Sequence, residues 1–126
     1  KVDILLRRAY ENGIVLAGVS AGAICWFKQG ITDSWASNLN TIDCLAFIDE
    51  MCCPHYLEES DRRPSVHQML KDGKAMNGYC LDGGSAAHFV NEKLINAISF
   101  YTDRKAVFVE KKNSSIIEKE LPHIVL

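Results

Sequence analysis

The chain has 126 residues, about one domain, and 48% of them are hydrophobic, which is enough to bury a core. Its 14 basic and 16 acidic residues give a net charge of −2, which argues against nucleic acid or an anionic membrane surface as a partner. No apolar stretch reaches the roughly 18 residues that a membrane-spanning helix requires. The sequence therefore predicts one globular domain over residues 1–126, with no nucleic-acid and no membrane partner.

The five cysteines fit neither a disulfide framework nor a zinc site. Their number is odd, two of them are adjacent, and none forms a C-x-x-C pair. We interpret them as reduced and mostly buried small apolar residues, which favours a cytoplasmic location.

The start of the chain has the order helix, strand, turn and helix. Residues 2–12 predict a helix that Gly13 ends, and residues 14–18 predict a short buried strand. The residues after Gly22 predict the first turns of a packed helix. This order is typical of α/β sheets. The apolar face of the first helix comprises Val2, Leu5, Leu6 and Ala9.

The middle of the chain alternates apolar runs with turns. Residues 30–43 are polar and rich in turn residues, so they predict an exposed loop with room for one short strand. Residues 44–56 supply one or two strands that end at the Pro-His-Tyr sequence of residues 54–56. Pro64 is placed to begin a helix that runs to about Lys71.

The last third of the chain is predicted to consist of strands. A strand over residues 75–82 leads into a glycine turn, and four short runs between residues 85 and 121 predict antiparallel strands. We therefore predict an α/β fold, with a mostly parallel open sheet flanked by helices and short antiparallel strands at the C-terminal end.

The sequence Gly18-x-Ser20-x-Gly22 fits the G-x-S-x-G pattern of a nucleophile elbow. At a tight turn from strand to helix, side chains two residues before and after the serine would collide with backbone, and the turn lifts the hydroxyl clear of the sheet. The amide of Ala21 would then point at a developing oxyanion. The alternative is a serine that caps the helix. The preceding apolar run and the following apolar residues favour the nucleophile.

A nucleophilic serine needs a base, and the four histidines compete for this role. His55 is favoured because Pro54 fixes the backbone before it at the end of a strand, where catalytic groups gather in open α/β sheets. His67 lies within the predicted helix, His88 in a predicted strand and His123 near the chain end, so structural or solvated roles suit them better.

The base needs an orienting acid, and two aspartates are candidates. Asp82 ends a strand and is followed by two glycines, which permit a sharp turn that exposes the carboxylate. Asp43 would give the chain order Ser–Asp–His of α/β-hydrolases, but it begins a strand. Geometry therefore favours Asp82 over Asp43, and an ordinary turn aspartate is the alternative.

The stretches AGVSAGAICWF, CCPHY and YCLDGG, with the Arg62-Arg63 pair between the last two, together resemble the peptidase E (aspartyl dipeptidase) family of serine peptidases, in its peptidase E-like bacterial branch. The resemblance covers most of residues 1–100 and implies a class I glutamine amidotransferase-like α/β fold. It also implies a Ser–His–acid triad of Ser20, His55 and Asp82, with aspartate where founding members carry glutamate. Neither a metal ion nor an organic cofactor is implied.

The resemblance extends to the substrate. Arg63 matches, approximately, an arginine that holds an acidic N-terminal residue in the family, and Arg62 is its rival. It implies a hydrolase of short peptides, with a preference for N-terminal aspartate as one option. The alternatives are a cyanophycinase-like hydrolase and a catalytically silent module that binds a metabolite or a partner.

The chain is expected to be the C-terminal portion of a longer domain. The predicted elbow strand is the first strand of the chain, whereas such a strand normally lies centrally with neighbours on both sides. A buried strand without neighbours exposes apolar surface and unpaired backbone groups, so aggregation or assembly into a homo-oligomer through the sheet edge stays open.

Overall fold

A computed structural model describes all residues from 1 to 126 and contains three helices and nine strands. None of the helices combines the length and hydropathy that crossing a membrane requires. In chain order the elements are α1 (Val2–Glu11), α2 (Ala21–Ile24), β1 (Phe27–Thr32), β2 (Asn40–Asp43), β3 (Ile48–Pro54), α3 (Arg62–Lys71), β4 (Gly78–Leu81), β5 (Ser85–Val90), β6 (Lys93–Ser99), β7 (Ala106–Lys112), β8 (Ser115–Glu120) and β9 (His123–Val125).

The strands form two sheets. The larger sheet has the order β2-β1-β3-β4-β7-β8, in which β1, β3 and β4 are parallel and the outer strands are antiparallel to their neighbours. The smaller sheet has the order β5-β6-β9, with an antiparallel β5–β6 pair and a parallel β6–β9 pair. The predicted α/β fold, with parallel strands at its centre and antiparallel strands after them, is confirmed.

The centre of the larger sheet is packed on both faces, and the side chains of β3 alternate between them. Met51 and Cys53 pack with Val66 and Leu70 of α3 on one face. On the other face Cys52 packs with three buried residues from α2, β1 and β3. These are Ile24, Phe27 and Ile48. The core therefore fixes the ends of β3 and β4, where the polar residues described below lie.

Two local predictions for the start of the chain are wrong. Residues 14–18 form no strand, since no other strand of the structure lies beside them. The helix after Gly22 has only four residues, and Phe27 already begins β1. Pairing of β1 between β2 and β3 prevails over the apolar run that suggested further helix, and the strand buries Phe27 and Ile31.

Candidate active site

Ser20 lies at the turn into α2, and its backbone conformation is uncommon. Its φ of 53° and ψ of −117° lie outside the regions that residues other than glycine usually occupy. A Cβ on Gly18 would lie 1.8 Å from the carbonyl oxygen of Gly22, whereas a Cβ on Gly22 would have nothing within 4 Å. The prediction that both glycines avoid collisions is therefore correct for Gly18 and wrong for Gly22.

The Ser20 hydroxyl contacts the ring of His55. Ser20 Oγ and His55 Nε2 are 2.9 Å apart, although the residues are 35 positions apart in the chain. His55 directly follows β3, has a positive φ of 73°, and donates its backbone N–H to the Leu81 carbonyl at the end of β4. This anchored turn directs the imidazole at the serine, so the structure brings together the two residues that the sequence singled out.

Glu58 occupies the other side of the His55 ring. Its Oε1 lies 2.6 Å from His55 Nδ1, and its Oε2 accepts hydrogen bonds from the Gly83 amide at 2.9 Å and from Arg104 Nη1 at 3.3 Å. A Cβ on Gly83 would lie 2.2 Å from Oε2, so only glycine leaves room for the carboxylate here. The hydrogen bond with His55, with support from Gly83 and Arg104, lowers the pKa of Glu58 and keeps it ionised.

Asp82 does not face the His55 ring, which corrects the expected His55–Asp82 contact. It is only 4% exposed, and its two carboxylate oxygens accept the backbone N–H groups of Leu57 and Lys105 at 3.0 and 3.1 Å. Both oxygens are therefore engaged with backbone, and the side chain ties the turn after β3 to the segment before β7. Asp82 therefore holds Leu57, the neighbour of Glu58, and makes no hydrogen bond with the His55 ring.

A serine, a histidine and a carboxylate in a single hydrogen-bonded line form the arrangement that activates a serine as a nucleophile. The sequence profile of peptidase family S51 matches residues 1–97. The chain belongs to peptidase family S51. It is also 44% identical, over 121 residues, to a Bacillus subtilis (strain 168) protein named uncharacterized peptidase YgaJ. That match covers 96% of this chain and 52% of the relative, so the chain spans about half the length of the relative.

The arginine pair of this S51 chain takes part in ion pairs. Arg63 donates from Nε and Nη2 to the two oxygens of Glu118 at 3.0 and 2.9 Å. Arg62 is 5% exposed and contacts Glu59 and Asp33. The structure thus places Arg63, the predicted substrate residue, in a bidentate contact within the protein.

Glu118 is the centre of a polar cluster behind the candidate site. In addition to Arg63, its carboxylate contacts the Tyr56 hydroxyl and His67 Nε2, the latter at 2.8 Å. Burial and the bond to Glu118 raise the pKa of the Tyr56 hydroxyl. Burial alone would raise the pKa of Glu118, but hydrogen bonds from Arg63, Tyr56 and His67 lower it to about 2. The cluster connects β8 to α3 and to the residue that follows His55.

We expect Glu118→Gln to make the free energy of unfolding less dependent on pH in the acid range. A carboxylate whose folded-state pKa is depressed stabilises the fold above its ordinary pKa of 4.5, and this contribution is lost as the pH falls toward about 2. Urea unfolding of the original protein and of Glu118→Gln is measured from neutral pH down to about pH 2. The two free energies of unfolding should become more similar as the pH falls. Glu92→Gln is the control, because the Glu92 carboxylate makes no hydrogen bond in the β5–β6 turn. A constant difference across the range would contradict this account.

The other candidates lie away from the Ser20–His55 contact. Asp43 is exposed on the edge strand β2, and His88 is exposed on β5. His123 lies 3.6 Å from Glu120. The Ala21 amide, the predicted oxyanion donor, donates to no group of the chain and is free to bind a ligand atom.

The sequence reasoning missed Glu58. A signal was available, since Glu58 follows His55 by three residues, a spacing that a tight turn brings together. Asp82 was favoured instead because it ends a predicted strand and is followed by two glycines. The same glycine turn serves Glu58, because Gly83 supplies both the space and the N–H that hold its carboxylate.

Proposed function

We propose that this chain carries the catalytic machinery of a serine peptidase that hydrolyses short peptides. The observation that supports the proposal best is the line from Ser20 Oγ to His55 Nε2 at 2.9 Å and from His55 Nδ1 to Glu58 Oε1 at 2.6 Å. Membership in peptidase family S51 gives the same reaction class. The free cysteines fit the proposed cytoplasmic location.

In this mechanism His55 accepts the proton of the Ser20 hydroxyl as the oxygen attacks the peptide carbonyl carbon. The carbonyl oxygen becomes an oxyanion, and the free N–H of Ala21 stabilises it. His55 then gives its proton to the leaving amine, which leaves an acyl ester on Ser20. A water molecule, deprotonated by His55, hydrolyses the ester and regenerates the hydroxyl.

Glu58 is the orienting acid in this proposal, in place of Asp82. Its ionised carboxylate faces Nδ1, so it selects the tautomer with the proton on Nδ1 and leaves Nε2 free to accept the serine proton. Because its pKa is lowered, Glu58 stays charged while His55 gains and loses its proton. Asp82 acts through the backbone and is a positioning residue.

The proposal also concerns the class of substrate and the cation that would bind it. A dipeptide with N-terminal aspartate would need a cation near Ser20, and Arg63 already makes two bonds to Glu118. Arg104 contacts the triad directly, since its Nη1 lies 3.3 Å from Glu58 Oε2, and about a third of its side chain is exposed. We therefore favour Arg104 over Arg63 as the cation nearest a bound substrate.

The activity is tested on the chain and on a full-length hybrid in which the chain replaces the matching part of the Bacillus subtilis relative. Both are incubated with a dipeptide library, and released amines are measured. We expect hydrolysis that Ser20→Ala abolishes. A folded hybrid that hydrolyses none of the dipeptides would favour the alternative of a silent binding module.

We expect Gly83→Ala to lower the hydrolysis rate of the hybrid about a hundredfold while the fold is retained. The added Cβ would lie 2.2 Å from Glu58 Oε2, the flexible end of a side chain, so the carboxylate must move away from His55. Displacements of about 1 Å in catalytic groups cost about this much. Circular dichroism checks the fold, and an unchanged rate would contradict the role of Glu58.

A further inference from the structure

The backbone of His55 is in a strained conformation that its neighbours must hold. A φ of 73° places this residue in the left-handed region, which side chains other than glycine seldom adopt. Such a conformation persists only when the surrounding structure fixes it from several directions. The Leu81 carbonyl accepts the backbone N–H groups of His55 and Tyr56 at 3.0 and 3.2 Å, which fixes one side of the turn. The direction of the imidazole therefore also depends on how firmly Tyr56 is held.

The Tyr56 side chain is fixed along its whole length. It is 2% exposed, and its ring belongs to the buried core that includes Met51 and Val66. The hydroxyl at the end of the ring donates to Glu118 Oε1 and lies 3.1 Å from His67 Nε2. A buried hydroxyl that lost these partners would be destabilising, so the ring cannot shift without a cost in free energy.

The acceptor of the Tyr56 hydroxyl is itself held by charged groups. Arg63 donates to both oxygens of Glu118 at 3.0 and 2.9 Å, and such a two-bond contact fixes the orientation of the carboxylate. Hydrogen bonds from Arg63, Tyr56 and His67 keep Glu118 ionised although it is partly buried. Hydrogen bonds to an ionised acceptor are stronger than those between neutral groups, so Tyr56 is held firmly.

Stability alone is a weak reason for this polar cluster. Apolar residues of similar volume often replace buried charged groups with no loss of stability, and phenylalanine would fill the space of the Tyr56 ring. A polar network whose members all have partners adds rigidity and a single defined arrangement. Rigidity matters most where the next residue in the chain is a histidine that must face two partners at once.

We propose that Tyr56 and Glu118 are positioning residues for His55. The hydrogen bond between them holds the turn after β3, which keeps the imidazole within reach of Ser20 and Glu58. Glu118 lies on β8, beyond residues 1–97 that match the family profile, so this contribution comes from a part of the chain that no motif marks. The effect on rate rests on the proposed function, whereas the effect on the imidazole position rests on the geometry alone.

The variant that tests the hydroxyl is Tyr56→Phe, which keeps the ring and removes only the bond to Glu118. We expect kcat of the full-length hybrid to fall at least about tenfold with KM unchanged, because a displaced catalytic group weakens the transition state and leaves substrate binding intact. Rates are measured well below the unfolding midpoint, where a loss of stability alone leaves kcat unchanged. An unchanged kcat in the folded variant would overturn the proposal.

Tyr79→Phe is the matched control for the loss of a hydroxyl. Tyr79 is a partly buried tyrosine of β4 that packs among aromatic rings, and its hydroxyl makes no hydrogen bond. We expect this variant to keep the original kcat and KM. A loss equal to that of Tyr56→Phe would overturn the assignment, because any tyrosine hydroxyl of the core would then have the same effect.

A double variant tests whether Glu118 acts through Tyr56. Glu118→Ala removes the acceptor, and we expect a loss of kcat similar to that of Tyr56→Phe. The double variant should be no slower than the slower single variant, since both changes break the same bond. Losses that multiply in the double variant would overturn the connection between the two residues.

Nuclear magnetic resonance reports the position of the imidazole without any substrate. The ring C–H resonances of His55 in the chain are assigned by comparison with His55→Ala. We expect them to shift in Tyr56→Phe and in Glu118→Ala, and to stay unchanged in Tyr79→Phe. Unchanged His55 resonances in folded Tyr56→Phe would overturn the proposal. The expected shifts in a protein that hydrolyses no peptide would count against the proposed peptidase alone, so the two failures are distinguishable.

Discussion

Replacing Ser20 with alanine is expected to lower the rate of peptide hydrolysis by at least about a thousandfold in the full-length hybrid, and His55→Ala by a similar factor. The Ser20 hydroxyl is a weak nucleophile until His55 Nε2, 2.9 Å away, accepts its proton. The two groups act as one unit, so the double variant should be no slower than either single variant. Initial rates on the best dipeptide of the library provide the measurement.

Matched controls separate this effect from general damage to the protein. Ser114→Ala alters an exposed serine in the β7–β8 turn, and His88→Ala alters an exposed histidine on β5. Both should retain the original rate. A Ser20→Ala protein with more than about a tenth of the rate would exclude this serine as the nucleophile, and multiplicative losses in the double variant would show that the residues act separately.

The second large effect is expected from Glu58→Gln, which should lower turnover about a hundred- to ten-thousandfold with the fold intact. The amide of glutamine presents either an oxygen or an N–H to Nδ1 and no longer stabilises the charged imidazole. Asp82→Asn should instead destabilise the protein by about 1–3 kcal/mol, because the buried side chain then accepts only one of the two backbone N–H groups that the carboxylate accepts. Thermal unfolding and turnover are measured for both variants.

The two variants therefore give opposite patterns if Glu58 is the acid. The reverse result, with Asp82→Asn stable but inactive and Glu58→Gln active, would return the role to Asp82 and contradict the geometry. Asp43→Asn serves as the neutral control, since Asp43 is exposed on an edge strand away from the His55 ring.

Local sequence signals correctly predicted the helices and strands whose formation depends on residues within the element itself. The helix begun near Pro64 extends from Arg62 to Lys71, and the apolar run before His55 is the buried strand β3. The signals failed where a distant partner decides the outcome. Residues 14–18 have strand composition but no neighbour, and Phe27 lies in a strand because β2 and β3 lie on either side.

In the candidate site, too, the residues with local signals were predicted and the residue that depends on a distant contact was not. Ser20 and His55 each have a local signal, the glycine elbow and the proline at a strand end. The choice of acid depends on how the turn after β3 packs against the turn after β4, a contact 25 residues apart in sequence that no local pattern encodes. Asp82 was predicted because two glycines follow it, and one of these glycines, Gly83, holds the carboxylate of Glu58.

The central claim is that Ser20 is a nucleophile activated by His55, and labelling with a fluorophosphonate probe tests it most directly. The probe reacts with activated serines and forms a covalent bond to Oγ. Peptide mass spectrometry of the labelled hybrid should locate the adduct on Ser20, and His55→Ala should prevent its formation. A folded protein that forms no adduct, or forms it on another residue, would contradict the account.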